Sequence, residues 1–435
     1  MDNARRTVVQ ALMKQENNGY ANLILLQVLD KAKLDSRDAA FTSAVFYGTL
    51  ERLLTLDFIL QQFLTKPLAK LDAPVRAILR SGLYQVRYME NVPNAAAINE
   101  AVTLTKTMKK ASAAGMVNAV LRRAASFDIE AASFTDATHK NSILYSVSPQ
   151  VIHCIEKSYP AQTEHILQSL FTAPPLYVRV NTLKTTPEKL TQLLAQQEIT
   201  AHPGMVPNSL VLTSKGNITQ LPAFQQGLFH VQGEASQLAC AALCPTAGST
   251  VLDLCAAPGG KSVTLAQYMH NEGKLFCCDA AENRLALIES ALQRCGITCA
   301  AVQQNDASIE NAALPQADFV LCDVPCSGLG IMAKKPDIRY KTMEGLAQLT
   351  ALQAKILNTA ARYVKKGGTL VYSTCTMNKD ENIAVTRTFA QQHKDFVPVE
   401  IKNIPQNAVI EEKTVTLLPD FNGSDGFYIA KFERL

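Results

Sequence analysis

At 435 residues the chain exceeds the size of a single hydrophobic core, and two or three domains are expected of it. Hydrophobic residues make up 47% and charged residues 18%, a globular composition that excludes a disordered chain, and no uninterrupted apolar run reaches the about 18 residues a membrane span requires. The formal net charge of +4 is unevenly spread: residues 1–140 hold 18 Lys and Arg against 13 Asp and Glu, the remainder 24 against 25, a modest N-terminal bias that suits phosphate contact.

Met1 to Gln10 carry no long apolar stretch of the export type, so a soluble cytoplasmic protein is expected. From Ala4 to about Ser126 apolar residues recur at intervals of three and four. Val75, Ile78, Leu79, Leu83 and Val86, following Pro74, read as an amphipathic helix. Similar stretches at 21–30, 37–54, 57–64, 95–108 and 114–124 give an all-helical domain over 1–140. Short polar residues from Asp128 to Asn141 read as a linker. Residues 145–235 mix a helix at Gln150–Ser158, an extended run at Leu176–Val180, a helix at Pro187–Gln196 and several Pro and Gly turns, which read as a small α+β subdomain.

In 236–435 short buried strands alternate with helices: Thr250–Leu254, Leu275–Cys278, Thr298–Val302, Phe319–Cys322 and Thr369–Ser373. That alternation predicts a parallel, doubly wound α/β sheet of Rossmann-like type, with Val415–Leu418 and Phe427–Phe432 as a late antiparallel edge.

Ligands of such sheets bind at the carboxyl ends of the strands, so the residues there are the candidates. The first strand turns through Leu254, Cys255, Ala256, Ala257, Pro258, Gly259, Gly260 and Lys261 into a helix, whose free N–H groups and positive dipole end suit a nucleotide-type cofactor. It matches neither the phosphate-binding P-loop nor the dinucleotide fingerprint. Asp279, about 20 residues on, stands where an acid accepts ribose hydroxyls, and Asp306 with Asn305 ends the third strand, within reach of an adenine edge. The fourth strand ends in Asp323-Val-Pro-Cys326-Ser-Gly328 and the fifth in Ser373-Thr-Cys375-Thr376. Two thiols facing one crevice suit a reaction in which one attacks carbon 6 of a pyrimidine and makes carbon 5 nucleophilic, after which a base removes the carbon 5 proton. Asp323 could protonate or hydrogen-bond the ring at N3 and N4. The other cysteines of the eleven lack zinc-site spacings and an export signal, so reduced thiols and no metal are expected.

This set resembles the RNA cytosine-5 methyltransferase family, which includes bacterial rRNA enzymes and eukaryotic relatives. The match also takes in Arg179-Val-Asn181, Val231-Gln-Gly-Glu-Ala-Ser-Gln237 and Asp425-Gly-Phe-Tyr428. The resemblance implies Cys375 as nucleophile, Cys326 in product release, and S-adenosylmethionine held by residues 254–261 with Asp279, Asp306 and Asp323. Arg179, Asn181, Lys335, Asp337 and Arg339 are the candidates for substrate contact. Residues 1–140 resemble the RNA-binding antitermination factor NusB. That arrangement implies 16S rRNA as partner and cytosine 967 as target, in a monomer with no DNA or membrane partner. The alternatives are another RNA, either 23S rRNA or tRNA; a DNA cytosine methyltransferase, which would carry a large recognition insertion; and a non-catalytic assembly factor. Intact cysteines and acids argue against the last.

Overall fold

The computed structural model describes residues 3–16, 20–213, 218–420 and 423–435. Its residues group into two compact units, one of 1–157 with 334–342, the other of 158–333 with 343–435.

The first unit is helical, as the spacing predicts. Its central helix, Ala73–Tyr88, starts with Pro74 in the first turn and buries Val75, Ile78, Leu79 and Leu83 against the helices Asn94–Thr107 and Ala114–Ala125. The predicted single stretch at 37–54 is divided at Arg52 into helices Ser36–Glu51 and Leu53–Gln61. The segment read as a linker contains a helix, Ala137–Tyr145, started by Asp136, whose Oδ1 accepts the His139 N–H at 2.7 Å. Helix Pro149–Ser158 groups with this unit up to Lys157.

A short 3-10 segment, Pro336–Tyr340, joins this unit from far along the chain. Arg339 is wholly buried there, its Nη1 donating to Glu51 O at 3.0 Å, and the Tyr340 hydroxyl meets Ser146 Oγ at 2.9 Å. Arg339 is therefore held inside this unit by a backbone partner. Lys335 is exposed and Asp337 half-buried.

The second unit holds two sheets. The smaller is antiparallel, made of β1 (Leu176–Val180), β2 (Thr200–Pro203), β3 (Ser209–Thr213) and β4 (Phe229–Val231) in the order β2-β3-β1-β4. The larger contains β5 (Thr250–Asp253), β6 (Lys274–Asp279), β7 (Ala300–Gln304), β8 (Ala317–Asp323) and β9 (Val364–Thr374), all parallel. Three further strands follow: β10 (Phe396–Pro398), β11 (Val409–Glu411) and β12 (Thr414–Leu417). The last, β13 (Phe427–Arg434), runs antiparallel to β9 and is flanked by β12 and β10. The order β7-β6-β5-β8-β9-β13-β12-β11 reverses direction of growth between β5 and β8, so the ligand crevice of this Rossmann-like sheet opens outside the ends of those two strands. Apolar strand residues such as Val251, Leu252, Val320, Leu321, Leu370 and Val371 are buried under helices on both faces.

Two residues expected at the substrate join the small sheet to the helices Gly260–Tyr268 and Glu282–Cys295 of the same unit. Arg179 on β1 donates from Nε to Gln267 Oε1 at 3.2 Å and from Nη1 to Pro207 O, and its guanidinium lies 5.3 Å from the Tyr268 ring centroid. Asn181 donates from Nδ2 to Gly227 O and Cys295 O, both at 2.8 Å. Both side chains are buried with internal partners.

Candidate active site

The loop after β5 is built to approach a ligand closely. Gly259 has φ of +103°, and a Cβ there would stand 3.1 Å from Ile288 Cα and 3.2 Å from Ala291 Cβ, so only glycine fits the turn against helix Glu282–Cys295. Helix Gly260–Tyr268 then begins with no side-chain cap, leaving its first N–H groups for a ligand. Leu254 and Ala256 are buried and shape the loop from behind. Burial, then negative charge near Cys322, Asp253, Asp323 and Asp279, pushes the Cys255 thiol well up.

Asp279 ends β6 with its carboxylate tied to the same loop: Oδ2 accepts Ala257 N–H at 3.3 Å and Oδ1 accepts Ala281 N–H at 3.0 Å. Arg284 Nη1 lies 3.4 Å from Oδ2 as well, so Oδ1 is the oxygen that keeps a lone pair for a hydroxyl donor. Asp306 is exposed, and the backbone N–H and hydroxyl of Ser308 hold its pKa below the ordinary carboxylate value. Beside it, Asn305 keeps a buried Nδ2 with no partner among the described residues, a donor without an acceptor. A glycine cradle, acidic acceptors at two successive strand ends and an orphan amide donor fit an adenosyl group carrying a methionyl tail. Residues 254–261, Asp279 and Asp306 are those that would hold it.

Behind the loop Asp253 is fully buried; Ser262 Oγ–H donates to its Oδ2 at 2.7 Å, and its Oδ1 has no partner among the described residues. Burial raises its pKa to about 6, against the lowering pull of Ser262 and Lys261. Between the unfolded carboxylate's pKa of about 4 and that value the folded chain holds a proton the unfolded chain has released, so this residue withdraws stability as pH rises through the window. Asp253→Asn removes the effect, and its unfolding free energy relative to the parent is expected to climb between pH 4 and 6.5 and level off above, by about 3 kcal/mol in all. A gap constant over that range would refute the coupling.

The reacting groups sit where β8 and β9 end. Lys261 Nζ donates to Asp323 Oδ2 at 2.6 Å, and Ser373 Oγ–H donates to Asp323 Oδ1 at 2.7 Å. Burial would push the Lys261 ammonium down, but the Asp323 carboxylate more than offsets this and its pKa is raised. The ammonium also lies 5.6 Å from the Phe427 ring centroid. The Cys326 and Cys375 sulfurs are 3.3 Å apart, both half-buried. Cys326 has its pKa raised well above that of a free thiol, first by the hydrogen bond with Cys375, then by burial and by negative charge at Cys375, Glu381 and Asp323. Gly330 N–H donates to Cys375 O at 3.0 Å and Gly426 N–H to Gly330 O at 2.7 Å, which stitches the loop after β8 to the loop after β9 and to the start of β13. A Cβ on Gly330 would overlap Gly426 O at 1.8 Å.

Cys326, Cys375, Asp323 and Lys261 are thus brought together, with Asp279 and Asp306 at neighbouring strand ends. Sequence reading missed Glu381. It is buried behind the two thiols, in Lys379-Asp380-Glu381-Asn382, which has the composition of a solvated turn.

A family model described as 16S rRNA methyltransferase RsmB/F matches residues 240–433, the NusB family matches 2–126, and an RsmF/B-like ferredoxin-like domain matches 151–219. The chain is 34% identical over 445 residues to the probable ribosomal RNA small subunit methyltransferase B of Bacillus subtilis (strain 168), covering 99% of this chain and 98% of that one. The crystal structure of PH0851 has a TM-score of 0.85 at 25% identity, over 100% of this chain and 99% of that one. The NSun6 of Pyrococcus horikoshii, solved with SFG, shares the fold with a TM-score of 0.61 at 21% identity, over 67% of this chain and 99% of that one. The chain therefore belongs to the 16S rRNA methyltransferase RsmB/F family, whose methyl donor is S-adenosylmethionine.

Proposed function

We propose that the protein methylates carbon 5 of a cytosine in 16S rRNA, cytosine 967, through a covalent bond between Cys375 and the base. The observation that carries this reading is the pair of sulfurs 3.3 Å apart beside an Asp323 carboxylate already held by Lys261 and Ser373. S-adenosylmethionine, when bound, supplies the electrophilic methyl group. The Cys375 thiolate forms a bond to carbon 6, and the electrons of the 5,6 double bond become available at carbon 5 for methylation. Asp323 holds the N3 and N4 edge and stabilises the charge that develops there. A base then removes the carbon 5 proton, the double bond re-forms, and the carbon–sulfur bond breaks to return Cys375 as thiolate.

Cys326 suits that last step because its ionisation is opposed chiefly by Cys375. Once Cys375 is a neutral thioether, the hydrogen bond and like charge that contribute most to the raised Cys326 pKa are gone, and Cys326 can lose its proton to solvent water and, as thiolate, take the carbon 5 proton. The target atom cannot be reached in a stacked helix, so the cytosine is taken from a loop or flipped, at a cost of a few kcal/mol.

Incubating the protein with methyl-labelled cofactor and 16S rRNA, 23S rRNA, tRNA or DNA tests the substrate; label is expected in 16S rRNA alone. Bisulfite sequencing of rRNA from a deletion strain is expected to show an unmethylated cytosine at 967. Label appearing in 23S rRNA or tRNA instead would overturn the assignment.

A further inference from the structure

Glu381 is wholly buried, and four donors converge on its carboxylate. Ser327 N–H reaches Oε2 at 2.8 Å, Gln353 Nε2 reaches Oε2 at 3.0 Å, Asn378 Nδ2 reaches Oε1 at 3.1 Å, and the Ser327 hydroxyl also donates to Oε1. Every one of these neighbours aims a hydrogen at an oxygen of the side chain. Burying a charge with this many directed donors is costly unless the geometry is needed.

The donors come from the two loops that carry the thiols. Ser327 follows Cys326, and Asn378 lies three residues beyond Cys375. Gln353 Nε2 also donates to Pro325 O at 2.9 Å, so the residues on both sides of Cys326 are tied to one cluster. Asn382 extends it, accepting from Thr374 Oγ1 at 2.6 Å and donating to Thr376 O at 2.9 Å on either side of Cys375. The ionisable groups facing the Cys326 sulfur are Cys375, Glu381, Asp323 and Tyr372, three of which add negative charge when ionised in the active range.

Resting on the two-thiol reading above, we infer that Glu381 is a positioning residue that biases the first ionisation toward Cys375, adding to the opposition that Cys375 itself gives Cys326 until it is bonded to the base. The two cysteines otherwise occupy closely similar places at the ends of adjacent strands, and nothing in their own chemistry makes one the nucleophile. A fixed negative charge bonded to the residue next to Cys326 separates them. Its cluster fixes the sulfurs in contact, and its charge selects which of them is released as thiolate.

The test is the rate at which a labelled iodoacetamide modifies each cysteine of the full-length protein at pH 8, read by mass spectrometry without RNA or cofactor, so that it is independent of which RNA is methylated. In the parent protein Cys375 is expected to be alkylated before Cys326; the reverse order overturns the inference, even if no Glu381 variant folds. In Glu381→Gln, which keeps the shape and removes the charge, alkylation of Cys326 is expected to rise about tenfold, the effect of a one-unit fall in pKa. Glu381→Asp keeps the charge and is expected to stay within about threefold of the parent. An unchanged Cys326 rate in Glu381→Gln, or an equal rise in both variants, overturns the inference, the second because it would trace the effect to packing. Methylation surviving in a Cys375→Ser protein would instead remove the two-thiol reading, and the alkylation rates report separately from it.

Discussion

Cys375→Ser is expected to lower methyl transfer by about a thousandfold or more and to abolish any covalent complex with RNA, while Cys326→Ser is expected to trap that complex. A serine hydroxyl at the end of β9 is far less acidic than a thiol and does not ionise near neutral pH. The groups around it are a thiol, a carboxylate paired with Lys261 and a carboxylate bonded to four donors. Attack on carbon 6 then lacks its nucleophile. Cys326→Ser leaves Cys375 in place and able to attack, but the carbon 5 proton meets no thiolate, and the enzyme stays bonded to methylated RNA. The readout is a band retarded in a denaturing gel with labelled RNA, present in Cys326→Ser and absent in Cys375→Ser. The opposite pattern would exchange the roles of the two cysteines. Melting temperatures are expected to change little in either variant, since both side chains are half-buried and a thiol-to-hydroxyl exchange hardly alters volume.

The parts of this site that can be read in the sequence are those the sheet places by rule. Strand ends of a parallel sheet share one edge, so Asp279, Asp306, Asp323, Cys326 and Cys375 could be grouped from chain order alone. The glycine loop was legible for a similar reason, since adjacent glycines at a strand-to-helix turn have few other uses. What lay outside that rule depends on long-range pairing. The Lys261–Asp323 pair joins residues 62 apart, and Lys261 alone reads as any helix-start lysine. Glu381 sits among charged residues that in most chains face water. The burial of Arg179, Asn181 and Arg339 lies outside that rule too. Basic and amide side chains are usually exposed, but here burial is compensated by backbone carbonyls that no local pattern announces. Residues 334–342 return to the helical unit across nearly 180 residues of intervening chain, an excursion that neither periodicity nor composition can record.

Asp323→Asn is expected to reduce methyl transfer by about a hundredfold or more, with a separate and smaller loss of stability. The carboxamide can still accept the Ser373 hydroxyl, but it offers Lys261 a neutral atom in place of an anion. The Lys261 ammonium keeps its burial and loses the charge that offset it, so its raised pKa falls. The two side chains retain 15% and 24% exposure, so the stability loss lies between surface and fully buried pairs, about 2 kcal/mol. A lysine whose folded pKa is raised contributes stability below its unfolded pKa and loses it as pH climbs through the folded value. The deficit of Asp323→Asn should therefore be full at pH 7 and shrink only in strongly alkaline solution. Lys261→Met in the same protein separates the two losses. With the buried ammonium gone, the double variant is expected to recover most of the stability, because an apolar side chain replaces an unpaired charge. It is not expected to recover transfer, because the carboxylate that meets the base is still missing. A double variant that regained activity together with stability would confine Asp323 to pairing with Lys261 and remove it from the chemistry at N3 and N4.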